Sequence, residues 1–224
     1  MNTHLSELSA NAPNLDGSVL LPLMESRPSP DQSLGMPTGN YFCMVNGYPD
    51  MPITLSNGQN VVMRRSKAIK YYKLTKYMAN LFSKDPSTKV GALFMYPGTM
   101  QILSMGYNGM PHGIDESVAT KWERPLKYKL IEHAERNAIY NAAQSGTPLR
   151  DSICVTSMCP CADCARGVIQ SGCKMVITYD IAEFERENPD VAARWKPEWD
   201  ISIGMMIEAG IQLMFLSKNE ISMI

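Results

Sequence analysis

The alternation of apolar and polar positions first becomes regular after Ser66. Large apolar side chains recur there at helical spacing, at Tyr71, Leu74, Met78 and Leu81. This spacing predicts a helix over residues 67–83. Asp85-Pro86 ends the helix, because the residue before a proline is disfavoured in helical geometry.

Apolar runs and helical segments alternate along the rest of the chain. The strands are predicted at 89–96, 101–107, 152–156, 174–178 and 211–216. The helices that follow are predicted at 133–144, 161–170 and 197–209. Such alternation is typical of an α/β domain whose mostly parallel sheet has helices on both faces. The domain is predicted to cover residues 66–218, with a short tail at 219–224.

Residues 1–65 form a separate region in this pattern. The first 40 residues contain five prolines, six serines and three glycines without apolar periodicity, which predicts a flexible Pro/Ser-rich extension. The pairs Asn46-Gly47 and Asn57-Gly58 beside apolar runs indicate a hairpin within residues 41–63.

Composition narrows the class of protein. The chain has 224 residues, 45% of them apolar, and a net charge of −1. A near-neutral chain is poorly suited to a nucleic acid polymer, which usually requires a basic excess. No apolar stretch is long enough to span a membrane, and the N-terminus lacks the basic start and apolar run of an export signal. We therefore expect a cytoplasmic protein.

Cysteine and histidine are distributed unevenly. The chain contains three histidines and six cysteines, and three of the cysteines fall at Cys159, Cys161 and Cys164. Disulfides between residues so close in sequence would close almost no loop and contribute little stability. In a chain without an export signal, such clustering indicates metal or redox chemistry.

The candidate chemistry lies in two short segments, His133-Ala134-Glu135 and Pro160-Cys161-Ala162-Asp163-Cys164. Catalytic zinc takes three protein ligands and leaves a fourth position open, and His133, Cys161 and Cys164 supply such a set. Glu135 is predicted to move protons beside the metal. The joint pattern matches the motif of zinc-dependent nucleobase deaminases. The alternatives are a structural zinc site, with Cys159 as a fourth ligand, or a redox pair.

At this point the chain resembles the deoxycytidylate (dCMP) deaminase family, from about Tyr71 to Leu216. The resemblance is carried by four blocks, at residues 83–92, 106–113, 133–139 and 159–165. The last two blocks mark the wider deaminase superfamily, and the first two single out the dCMP branch. The resemblance implies a three-layer α/β/α cytidine deaminase-like fold with a mixed five-stranded sheet.

The same resemblance implies hydrolytic deamination of dCMP to dUMP and ammonia, which supplies dUMP for thymidylate synthesis. One zinc ion per chain is expected to acidify water for attack on C4, and Glu135 to act as the catalytic proton carrier. Asn108 corresponds to the family's nucleotide-binding asparagine, and its alternative role is ordinary turn formation.

The resemblance also suggests regulation and assembly. A homo-oligomer, a hexamer in the family, is expected, with dCTP as activator and dTTP as inhibitor. Candidate phosphate or effector contacts are Lys84, Lys89, Gly106, Tyr107, Gly109 and Arg136. The alternatives for Lys84 and Lys89 are a solvated loop, and for Arg136 a local contact. Neighbouring functional hypotheses are a deaminase of dCTP or a modified cytosine nucleotide, and a regulatory deoxynucleotide-binding protein without activity.

Overall fold

A computed structural model describes residues 50–224. The predictions for residues 1–49, including the Pro/Ser-rich extension and Cys43, lie outside the described residues. The strands are β1 (Asp50–Thr54), β2 (Asn60–Arg64), β3 (Gly91–Tyr96), β4 (Gln101–Tyr107), β5 (Ile153–Thr156), β6 (Met175–Tyr179) and β7 (Gln212–Leu216). The α-helices are α1 (Arg65–Phe82), α2 (Lys127–Leu130), α3 (Ala134–Ser145), α4 (Ala162–Gln170), α5 (Ile181–Glu187), α6 (Pro189–Glu208) and α7 (Lys218–Ser222).

The main sheet has five strands in the order β4-β3-β5-β6-β7. Strand β3 is antiparallel to both of its neighbours, while β5, β6 and β7 are parallel to one another. Four strands therefore run in one direction and β3 in the other, which confirms the mixed five-stranded sheet. The reversal arises because β3 and β4 are joined by a tight turn rather than by a helix.

Both faces of this sheet are buried. Successive residues along a strand point to opposite faces, and Leu93 and Phe94 of β3, for example, belong to two separate hydrophobic clusters. One face packs against α1, and the other packs against α3, α4 and α6. The apolar runs seen in the sequence follow from this double burial, because neither side of a strand needs to be polar. The α/β three-layer fold expected from the sequence is confirmed.

The sequence predicts a hairpin within residues 41–63, and the described part of that range belongs to a hairpin at residues 50–64. Strands β1 and β2 pair from Asp50 opposite Arg64, and Gly58 in the turn has a φ of +83°. Met51, Ile53 and Met63 are buried in the cluster on the α1 face of the sheet. This part of the predicted extension therefore belongs to the hydrophobic core, since its alternating apolar side chains find a face to cover.

Helix α1 buries a different face from the apolar row seen in the sequence. Leu74 is 43% exposed and Leu81 is 61% exposed, whereas Thr75 and Ala79 are fully buried. The reason is a close approach to the sheet, because a Cβ added to Gly91 would lie 2.5 Å from the carbonyl oxygen of Thr75. Small residues make this close contact, and Leu74 and Leu81 lie on the outer surface, while Ile69, Tyr72 and Met78 of the same helix are buried.

Helix α6 is longer than the predicted 197–209. It begins at Pro189, where proline at the first helical position loses no hydrogen bond, and it continues through Pro197. The sequence prediction placed the start at the second proline, so it missed two turns of helix and the whole of α5. No helix within residues 50–224 combines the length and the apolar character needed to cross a membrane.

Helix α3 packs very closely on edge strand β4 at Gly106. A Cβ built on Gly106 would lie 2.4 Å from the backbone nitrogen of Ala138 and 2.5 Å from the carbonyl oxygen of Ala134. Ser104, two residues earlier on β4, donates a hydrogen bond of 2.6 Å to the carbonyl of Ala138. The position of α3 over the sheet therefore depends on the absence of a side chain at residue 106.

We expect Gly106→Ala to destabilise the fold, because the added methyl group would collide with backbone atoms that cannot rotate away. The expected loss is about 1–3 kcal/mol of unfolding free energy, measured by urea denaturation. Gly109→Ala is the matched control, since the nearest atom to its added Cβ is 3.8 Å away. Equal stability of the two variants would contradict this account of the α3–β4 contact.

Residues 218–222 form a capped helix rather than a free tail. Ser217 caps α7, and its backbone and hydroxyl both donate hydrogen bonds to Glu220. Glu220 also forms an ion pair with Arg65 of α1, whose guanidinium donates a second bond of 2.6 Å to the carbonyl of Phe215. Helix α7 is thus held against the start of α1 by the contacts of Arg65.

The stabilisation from the ion pair between Arg65 and Glu220 depends on pH. The hydrogen bond from Arg65 lowers the pKa of Glu220 from 4.5 to about 2. A folded-state pKa below the unfolded value means that the stabilisation is complete above pH 4.5 and is lost as the pH falls toward 2.

We expect Glu220→Gln to lower the unfolding free energy at pH 7 by about 1–3 kcal/mol. The deficit relative to wild type should shrink at pH 3, where the wild-type carboxylate also begins to lose its charge. Urea titrations at both pH values measure the difference, with exposed Glu208→Gln as the control. A deficit independent of pH would show that the charge of Glu220 is not what stabilises the contact.

Candidate active site

The three predicted metal ligands meet at the beginnings of two helices. His133 is the N-cap residue of α3, Cys161 is the N-cap residue of α4, and Cys164 lies in the first turn of α4. His133 Nδ1 lies 3.4 Å from Cys161 Sγ and 3.5 Å from Cys164 Sγ. The three donor atoms therefore lie close enough together to share one ligand.

The geometry of this cluster fits zinc. Bonds of about 2.0–2.1 Å to nitrogen and about 2.3 Å to sulfur, at tetrahedral angles, place the donor atoms about 3.6 Å apart. The pKa of the Cys161 thiol is lowered, first by the hydrogen bond with Cys164 and then by His133. A thiolate at this position favours metal binding. Within residues 50–224, these three are the one group of histidine, cysteine or acidic side chains placed to hold a metal ion.

Cys159 is not part of the cluster. It is buried beside the site, and its thiol lies 3.8 Å from the carbonyl oxygen of Pro160 rather than near the three ligands. The alternative of a structural site with four protein ligands therefore lacks its fourth ligand among the described residues. Three ligands leave one coordination position for water or substrate.

Glu135 lies in the same pocket and is 3% exposed. Burial raises the pKa of its carboxyl group, because the charged form loses solvation. Its Oε1 lies 3.1 Å from the hydroxyl of Thr156, which in turn lies 3.0 Å from the carbonyl oxygen of Met158. The hydroxyl can donate to an ionised Glu135, or accept from a protonated one while donating to Met158. The site thus accommodates both protonation states of Glu135.

The pocket is a small cavity of about 70 Å³ above the metal ligands. The lining residues at the beginnings of α3 and α4, which we call the floor, are His133, Ala134, Glu135 and Cys161. A hydrogen-bonded group, which we call the polar wall, consists of Asp85, Thr88, Asn108 and Lys127. A third group, which we call the aromatic wall, consists of Tyr128, Trp195 and Trp199. Arg124 also lines the pocket and is exposed.

The polar wall is held by a buried ion pair. Lys127 Nζ lies 2.7 Å from the carboxylate of Asp85, and both side chains are at most 5% exposed. Burial opposes ionisation of Asp85, but hydrogen bonds from Lys127 and from the amides of Ser87 and Thr88 lower its pKa. The two charges cancel, so this wall is polar without net charge.

Asn108, predicted as a nucleotide contact, lies on this wall and is 5% exposed. Its amide oxygen accepts bonds of 2.8 Å from Ser83 Oγ and from the backbone of Val90. Its amide nitrogen donates to Asp85 and to the carbonyl of Thr88. All four hydrogen-bonding positions of the side chain are engaged within the protein, so Asn108 holds the polar wall together.

The aromatic wall was not anticipated from the sequence. Trp195 packs edge-on against the ring of His133, at 5.7 Å between centroids, and edge-on against Tyr128 at 6.3 Å. Trp199, one turn further along α6, is 1% exposed and its indole nitrogen has no hydrogen-bond partner. The available signal was a pair of tryptophans at i and i+4, which lay partly outside the predicted helix.

The six candidate phosphate or effector residues all lie away from the pocket lining. Lys84 pairs with Glu116, Lys89 donates to the carbonyl of Asn80, and Arg136 bridges Glu132 and Asp163. The other three lie along the end of β4: Gly106 against α3, Tyr107 stacked on Phe82, and Gly109 bridged to Glu132. Their role as effector contacts stays a prediction.

Comparisons with known proteins agree with this geometry. A family model described as the cytidine and deoxycytidylate deaminase zinc-binding region matches residues 65–180. An uncharacterised deaminase from the luxG 3′ region of Aliivibrio fischeri is 34% identical over 149 residues, which cover 66% of this chain and 92% of that protein. Human deoxycytidylate deaminase is 34% identical over 113 residues, covering 48% of this chain and 61% of the human protein.

The fold also matches a solved structure. The crystal structure of dCMP deaminase from cyanophage S-TIM5 in complex with dCMP and dUMP superposes with a TM-score of 0.51 at 22% identity. The match covers 69% of this chain and 99% of the phage chain. The matched family model ends at residue 180, so Trp195 and Trp199 lie beyond it.

We expect the purified full-length chain to contain one zinc ion, measured by elemental analysis. Cys164→Ser should remove most of that zinc, because a neutral hydroxyl replaces one of the two thiolate ligands. Cys159→Ser is the matched control and should retain it. Two zinc ions per chain, or loss of zinc in the control, would contradict the three-ligand assignment.

Proposed function

Because the chain belongs to the cytidine and deoxycytidylate deaminase family, we propose that it is a dCMP deaminase, which converts dCMP and water to dUMP and ammonia. The observation that carries the proposal is the placement of a buried carboxyl group, Glu135, in one pocket with the His133–Cys161–Cys164 cluster. Several curated relatives named deoxycytidylate deaminase support the choice of substrate.

His133, Cys161 and Cys164 would hold a zinc ion, which would supply the Lewis acidity that activates water near neutral pH. Glu135 accepts a proton from the water as its oxygen bonds to C4, and delivers this proton to N3 of the pyrimidine. Glu135 then takes the remaining proton from the new hydroxyl group on C4 and passes it to the amino nitrogen as the bond between C4 and that nitrogen breaks. The nitrogen departs as ammonia and C4 becomes the carbonyl carbon of dUMP.

The rest of the pocket positions the nucleotide. The aromatic wall offers Trp195 and Tyr128 as flat surfaces beside the base, and it excludes water from the side facing α6. The polar wall offers the edge of the Asn108 network to the sugar. Asn108 then acts by fixing that wall in place, because its own amide is fully engaged.

The proposal also includes where the enzyme acts and how its activity is regulated. A cytoplasmic enzyme of this activity would supply dUMP for thymidylate synthesis, and a homo-oligomer with dCTP and dTTP as effectors would match that role. The near-neutral charge favours a free nucleotide over a polymer as substrate.

The test is ammonia release from dCMP, dCTP, CMP and a cytosine-containing oligonucleotide. We expect turnover of dCMP above the other substrates. A preference for dCTP would support the neighbouring nucleotide activity, and turnover of the oligonucleotide alone would refute the proposal. Absence of turnover with zinc bound and dCTP held tightly would favour a regulatory binder.

Glu135→Gln separates metal binding from catalysis. The variant should retain zinc, because Glu135 is not a ligand, but it cannot carry protons. We expect the rate constant kcat to fall by at least about 100-fold, the lower range for a positioned general acid–base. A rate near wild type would show that another group moves the protons.

A further inference from the structure

We propose that Arg124 binds the 5′-phosphate of the nucleotide substrate. The inference rests on the proposed function and names the residue that recognises the anionic end of that substrate. Arg124 is not one of the cations that the sequence motifs suggested as phosphate or effector contacts.

Two cations line the pocket within the described residues, Lys127 and Arg124. Lys127 is buried and neutralised by Asp85, and it also donates a hydrogen bond of 2.6 Å to the hydroxyl of Ser87. Its charge is therefore already offset. Arg124 forms no ion pair with any carboxylate of the described residues, so it is the pocket cation whose charge is not compensated.

Arg124 is held in position by Tyr128. Its Nε donates a hydrogen bond of 2.8 Å to the hydroxyl of Tyr128, and its guanidinium carbon lies 5.7 Å from the centre of that ring. The contact orients the guanidinium by one nitrogen and leaves both terminal NH₂ groups for a ligand. Two parallel N–H donors are the arrangement with which arginine binds phosphate.

Arg124 and the predicted metal ligand His133 line the same pocket. A continuous series of ring contacts runs from His133 through Trp195 to Tyr128, and from Tyr128 to Arg124. The series begins at a metal ligand and ends at an exposed side chain. In this arrangement the base lies beside His133 and Glu135, and the 5′-phosphate lies at the exposed end of the series.

The cations suggested by the sequence are less suited to this role. Lys84 and Arg136 are paired with carboxylates, and Lys89 bonds to a backbone carbonyl outside the pocket. A phosphate at any of the three would compete with an existing partner, and none of the three lines the pocket.

The test compares dCMP with deoxycytidine, which lacks the phosphate. Arg124→Gln should lower kcat/KM for dCMP by about 10- to 100-fold, mainly through KM, because two charged hydrogen bonds are lost. Its kcat/KM for deoxycytidine should stay within about twofold of wild type, since no contact made by the nucleoside has changed. Arg124→Lys should fall between the two, because it keeps the charge without the paired donors.

Inorganic phosphate is a second probe. It should inhibit wild-type turnover of dCMP competitively, because it occupies the position of the 5′-phosphate, and this inhibition should be lost in Arg124→Gln. Arg150→Gln, which removes an exposed arginine that does not line the pocket, is the matched control and should behave as wild type.

The outcomes separate this inference from the proposed function. Equal losses on dCMP and deoxycytidine would show that Arg124 has a structural role, and no loss on either would show that the phosphate binds elsewhere. If wild type deaminates neither compound, the proposed function fails. Calorimetric binding of dCMP and deoxycytidine to wild type and Arg124→Gln then still decides whether Arg124 recognises the phosphate.

Discussion

The site depends on the convergence of two helix N-termini over one end of the sheet. His133 and Cys161 are both N-cap residues, and the cluster forms only if α3 and α4 begin within a few ångströms of each other. The position of α3 is set by its contact with β4, where Gly106 lets the helix backbone approach the strand. A glycine in the sheet thus controls the position of His133, which lies 27 residues later in the sequence, relative to Cys161 and Cys164. The same contact brings Glu135, in the first turn of α3, into the pocket.

The ligands and Glu135 could be predicted from sequence because their relationship is local. A histidine two residues before a glutamate, and two cysteines three apart at a helix start, carry their geometry in the spacing itself. The strands could also be predicted, since burial on both faces makes them continuous apolar runs. The buried face of α1 could not, because it is decided by the close approach at Gly91 and not by the size of the apolar side chains.

Contacts between segments that are distant in the sequence determine side-chain positions that the sequence alone does not predict. The predicted phosphate or effector contacts include three cations that lie beside the motifs: Lys84, Lys89 and Arg136. Proximity in sequence does not decide which way a long side chain points. Each has a partner outside the pocket. Asn108 is predicted from the sequence to contact the nucleotide, and this contact stays a prediction, although the residue lines the pocket. Its hydrogen-bonding partners come from residues 83–90, and their number emerges only from the fold. Arg124 and Trp195 both line the pocket, but Arg124 precedes the metal ligands in the sequence and Trp195 follows them.

The division of charge within the pocket suggests how chemistry and specificity are separated. In the proposed mechanism the floor carries the groups that act on the base, whereas the polar wall carries charges that cancel between Asp85 and Lys127. Removing one member of such a buried pair leaves the other uncompensated and disturbs the whole wall. An exposed cation such as Arg124 can change without that cost. Selectivity for the 5′ substituent can therefore vary at the pocket edge while the metal ligands, Glu135 and the Asn108 network stay fixed. The tryptophans that α6 supplies to the aromatic wall add a second surface to the pocket, and they lie after residue 180, where the matched family model ends.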